Sequence, residues 1–129
     1  MPIHRSIDTE SNLVTLVCSG TLKKGAIKTA FLEMLNDPAF QPGTNVLWDF
    51  RGIEAEAPSE KAIVSFSAMV KENQARRGSG YKVAMIVDRE LYFGLIRMYQ
   101  AYSGELPFDL MIFRSMKEAS RWLAEKKSV

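Results

Sequence analysis

The sequence predicts an α/β fold, a mixed β-sheet of about five strands with an N-terminal antiparallel hairpin, the rest parallel, and about four helices alongside. Three observations predict it. The chain opens with two short strand-like runs separated by a polar tetrapeptide; three segments of helical spacing then each lead into a short apolar run; and a last helical segment closes the sequence. At 129 residues this alternation fits one domain, 1–129, able to bury about two thirds of its unfolded surface.

Ile3 to Asp8 and Leu13 to Val17 flank Thr9-Glu10-Ser11-Asn12 and read as the hairpin. Thr21 is placed to cap a helix carrying Leu22, Ala26, Ile27, Ala30, Met34 and Leu35, with Gly25 inside it and Asn36-Asp37-Pro38 ending it. Val46 to Phe50, between Pro42-Gly43 and Gly52, is an apolar run of buried-strand type whose neighbours should be parallel. After an irregular acidic stretch, Ile53 to Ala57, Pro58-Ser59 opens a helix with Ala62, Ile63, Phe66, Met69 and Val70 on one side, fraying near Arg77-Gly78. Lys82 to Val87 is a further buried strand, and Asp88 is placed to cap the helix from about Leu91 to Ser103, which Gly104 ends. The last strand, Asp109 to Phe113, leads into a Ser115-x-x-Glu118 capping box ahead of Ala119, Trp122 and Leu123.

Composition narrows the function classes. A formal net charge of +2, with scattered basic residues, indicates no nucleic-acid partner. The lone Cys18 cannot form an internal disulfide, no His/Cys cluster suggests a metal, and no cofactor motif is present, so a reducing, cytoplasmic location is expected. No apolar run approaches the roughly 20 residues of a membrane span, which predicts a soluble protein without an integral membrane segment.

The helix from Leu91 to Ser103 is apolar on nearly every side. Its spacing assigns Leu91, Leu95, Met98 and Tyr102 to the core and leaves Tyr92, Phe93, Ile96 and Tyr99 as surplus. Three coverings are open for that surplus: the preceding helix of the same chain, a homodimer partner or other protein, or a small apolar, lipid-like ligand. Arg97, mid-helix among these residues, either pairs with Asp49, Asp88 or Glu105, lays its stem over the aromatic rings, or anchors the polar end of a ligand.

Three stretches occur together: Asp37-Pro38-x-Phe40-x-Pro42-Gly43 ahead of Val46-Leu47-Trp48-Asp49-Phe50-Arg51-Gly52, the helix Phe93 to Tyr99 after the strand Val83 to Val87, and Phe113-Arg114 with Glu118-Ala119 and Trp122-Leu123. This combination resembles the SpoIIAA-like proteins, a bacterial group whose fold is similar to the STAS domains of anti-sigma-factor antagonists and to lipid-binding CRAL-TRIO domains. The resemblance covers almost the whole chain and implies the same five-stranded mixed sheet. In sporulation-type antagonists a phosphorylatable serine lies in an Asp-Ser-Ser-Gly-like turn after the third strand. Here that turn reads Asp49-Phe50-Arg51-Gly52, and the nearest hydroxyl, Ser59, sits at a helix start as an ordinary cap.

Other constellations read as structural. Asp49 and Asp88 end central strands, where open α/β sheets bind ligands, but a phosphoaspartate site would need further acids for Mg²⁺, where the second strand ends in Cys18-Ser19-Gly20, and a lysine, where the last strand is followed by Arg114-Ser115. Asp49 is expected instead to pair with Arg51 or satisfy backbone donors in the loop, and Asp88 to cap its helix. Arg76-Arg77-Gly78-Ser79-Gly80 runs from helix into strand, the wrong direction for a phosphate loop, and reads as a helix end. Cys18 and His4 have no neighbouring group to complete a nucleophilic pair. The resulting expectation is a non-enzymatic binding or regulatory module, acting through the helix 91–103 and the loop after Asp49, or alternatively a carrier of an apolar ligand.

Overall fold

The computed structural model describes residues 2–54, 59–104 and 106–125. Five strands run β1 (Ile3–Asp8), β2 (Leu13–Gly20), β3 (Asn45–Ile53), β4 (Tyr81–Ile86) and β5 (Phe108–Phe113). The helices are α1 (Ala26–Asn36), α2 (Glu60–Glu72), a single turn α3 (Gln74–Arg77), α4 (Glu90–Tyr102) and α5 (Met116–Ala124). The sheet order is β1-β2-β3-β4-β5, with β1 antiparallel to β2 and every later pair parallel. A mixed sheet with one N-terminal hairpin is therefore what forms. The extra helix, α3, is the turn where the end of the second predicted helix rewinds.

Side chains alternate between two layers. Val14, Leu16, Val46, Trp48, Val83 and Met85 face α1, α2 and α4 in the larger core. Leu47, Ala84 and Ile86 face Ala119 and Leu123 of α5 on the opposite side. Both faces of β4 are thus covered, and all six of its residues are buried. That is why its sequence is a continuous apolar run rather than an alternating one.

Several boundaries differ from the sequence reading. Thr21 caps nothing: α1 starts at Ala26, with Gly25 at its N-cap at φ 83°. Strand β2 runs on to Gly20, paired with Ile53, so the chain needs the intervening residues to turn before a helix can begin. The same pairing draws Ile53 into β3, where it is buried, instead of leaving it in an irregular loop. Asp88 is not a side-chain cap; Arg89 occupies the N-cap of α4. Ser59 and Ser115 do cap, accepting hydrogen bonds from the backbone of Ala62 (3.1 Å) and Glu118 (3.2 Å). Ala55 to Pro58, including the proposed helix opening at Pro58, lie outside the described residues.

Candidate functional site

Helix α4 buries the stripe that its spacing had left over. Tyr92, Ile96 and Tyr99 are in the core and Phe93 is half-buried, whereas Leu91 is 66% exposed, Tyr102 is 38% exposed, and Leu95 and Met98 are half-buried. The assignment of Leu91 and Tyr102 to the core is thus reversed, while Leu95 and Met98 pack against the edge of the core. Both stripes are apolar, so helical periodicity alone does not choose between them. The rings decide, because they reach further: Tyr99 packs on Phe66 of α2 at 5.4 Å, and Phe66 in turn meets Phe31 and Trp48. Among the three coverings open for Tyr92, Ile96 and Tyr99, the chain's own α2 and sheet supply it. Burial pushes the Tyr99 phenol up, opposed in part by the Ser103 hydroxyl beside it.

At the carboxyl ends of the central strands the structure joins Asp49 to Arg51. Arg51 Nε and Nη2 donate to the two carboxylate oxygens at 2.9 Å each, and the Arg51 backbone N–H adds a third bond at 3.1 Å. The Arg51 guanidinium holds the Asp49 carboxyl below the ordinary carboxylate range. Asp88, from the end of β4, is close enough to reinforce the charge on Arg51. Gly52 lies where β2 shifts register between Val17 and Ser19, and a Cβ there would come within 2.9 Å of the Cys18 carbonyl oxygen. Its place in the motif is steric. Ser59 spends its hydroxyl on the α2 cap.

Arg97 is exposed and lays its guanidinium over the Phe93 ring at 4.9 Å. Arg114 approaches the same ring at 4.9 Å while donating to Glu90 at 2.6 Å. Asp49 is committed to Arg51, and Glu105 lies outside the described residues. Of the roles open to Arg97, stacking over the Phe93 ring is the one seen among the described residues.

The residues tested for covalent chemistry stay apart. Cys18 is fully buried, its thiol pushed up to about 12 by desolvation and, secondarily, by Asp49. A thiol so protonated is a poor nucleophile. His4 is exposed on β1, opposite Val17. No group of three or more His, Cys, Asp or Glu among the described residues is arranged to hold a metal. Nor is any helix among them long and apolar enough to cross a membrane.

Sequence reasoning missed two buried cations. Lys82 donates to the carbonyls of Trp122 (2.7 Å) and Glu125 (2.6 Å), tying off the end of α5. Arg77 is 2% exposed and lies between the rings of Tyr81 and Phe40, at 3.5 and 5.4 Å. Locally nothing separates it from Arg76, which is exposed and bonds to Asn36. An open cleft of about 320 Å³ lies along β5, between Gln100, Ser103 and Gly104 on one side and Trp122 on the other.

A five-stranded mixed sheet with an N-terminal hairpin, three helices on one face and a C-terminal helix on the other is the SpoIIAA-like architecture. A solved structure of an uncharacterised protein of the DUF3478 family, with a SpoIIAA-like fold, from Shewanella loihica PV-4 matches it at a TM-score of 0.60, covering 94% of this chain and 91% of that one. Sequence identity between the two is 17%, so the likeness establishes the fold and nothing of the activity. No protein-family model matches the chain, and no curated protein matches it.

Proposed function

We propose that the chain is a non-enzymatic binding module that acts through protein contact, a second copy of itself seated on the outer stripe of α4. The observation that carries this reading is the outer stripe of α4, where Leu91 and Tyr102 are exposed and Leu95 and Met98 between them are only half-buried. With Gly94 and Ala101, both exposed, these positions repeat at the spacing of a helix–helix seam. A Cβ built at Gly94 meets no atom within 4 Å, so a partner helix has room to approach. An uncharged stripe is complementary to its own copy across a two-fold axis, the commonest arrangement of soluble oligomers. At the strand ends Asp49 is committed to Arg51, which supports a role without covalent chemistry there.

Light scattering tests this. Wild type at concentrations on the order of 100 μM should have twice the monomer mass, and the double variant Leu91→Glu/Met98→Glu should be monomeric with an unchanged circular dichroism spectrum. A monomeric wild type at that concentration removes the homodimer.

The cleft along β5 favours a second reading, carriage of a small apolar ligand beside α4. Its volume of about 320 Å³ is at the lower end of the range for small-molecule sites. Native mass spectrometry after mild extraction separates the two, since a carrier retains a lipid-sized adduct and a contact module does not.

A further inference from the structure

Among the described residues, the Arg77 guanidinium has no counter-charge. Nη1 donates to the Thr44 carbonyl at 2.9 Å, but Nη2, with no accessible surface, meets no acceptor. Among the described residues, the groups whose charges bear on Arg77 are the phenols of Tyr81 and Tyr99, which are neutral at pH 7, and none of them is a carboxylate. The rings of Tyr81 and Phe40 offer it only their quadrupoles. A buried cation left in this condition is costly, and native structures relieve the cost by pairing it. Arg77 also lines a cavity of about 20 Å³ whose other walls are Phe31, Trp48, Tyr99 and their apolar neighbours. That volume exceeds the roughly 10–15 Å³ that one water molecule requires.

We propose that this cavity is a binding site for a small inorganic monoanion of chloride size, held by Arg77 Nη2 and walled by Tyr99. A water molecule would satisfy the donor but leave the charge; an anion answers both. The site joins three elements. Arg77 ends α3, its carbonyl accepts from the Gly43 backbone N–H at 2.7 Å, its Nη1 holds the residue before β3, and Tyr99 belongs to α4. Anion binding therefore fastens α4 from beneath to the turn that carries Phe40.

Crystals soaked in sodium bromide should show an anomalous bromide peak within hydrogen-bond distance of Arg77 Nη2. A cavity holding only water, without bromide signal, overturns the proposal. In solution, the thermal midpoint of wild type should be higher in chloride than in gluconate at constant ionic strength, and the Arg77→Met variant should lose that dependence. Equal wild-type midpoints in chloride and gluconate also overturn it. Should Arg77→Met fail to fold, the bromide experiment on wild type decides alone.

Discussion

Asp49 and Arg51 are two residues apart on β3, so the pleat puts both on the same face, and the arginine fork closes on the carboxylate from beside it. The folded carboxyl titrates below its unfolded value of about 3.9, so the pair contributes stability above that value and loses it as pH falls through the folded pKa. The Arg51 side chain is 37% exposed, and solvent screening limits the contribution to less than about 1 kcal/mol. Asp49→Asn should accordingly lower stability by up to about 1 kcal/mol at pH 7, with a smaller gap at an acid pH below the ordinary carboxylate range. Urea unfolding at the two pH values checks this, and an equal gap at both would show that the pair contributes nothing. Of this site, Asp49 and Arg51 were legible because they are sequence neighbours. Arg77 was not, because its partners Phe40 and Thr44 come from the turn before β3 and Tyr99 from α4.

At the scale of the element, α4 shows how an even distribution of apolar residues defeats periodicity. The number of apolar faces was readable, and so was the existence of a surplus. Which face is surplus depends on the neighbours, here Phe66 of α2 and the Val83 and Met85 side of the sheet. Ile96→Ala should cost about 2–5 kcal/mol, as buried Ile truncations do, while Leu91→Ala should stay within about 0.5 kcal/mol in the monomer. Denaturant titrations below the dimerisation range compare the two, and a costly Leu91→Ala with a silent Ile96→Ala would restore the opposite face. Helix starts follow the same logic. Ser115 and Ser59 sit directly before their helices and cap them, while Thr21 is overruled by the extension of β2.

Across the whole molecule, β3 and β4 are flanked by strands on both sides, and β1 and β5 are edges. Coverage adds to this, since α5 packs over β4 while the other face of β4 joins the larger core. Amide exchange should therefore be slowest in Tyr81–Ile86 and in the centre of β3, and faster in Ile3–Asp8. Hydrogen exchange read by NMR checks the order; slower exchange in β1 than in β4 would contradict it.

The sequence by itself determined the five strands, their mixed direction and the helices between them, because alternation, apolar runs and turn residues are local signals that backbone geometry reads directly. Tertiary structure alone decided which stripe of α4 is outside, that Arg77 is buried without a carboxylate among the described residues, and that Gly52 must be glycine. Each of those depends on distances between segments remote in sequence, where packing rather than propensity selects the outcome.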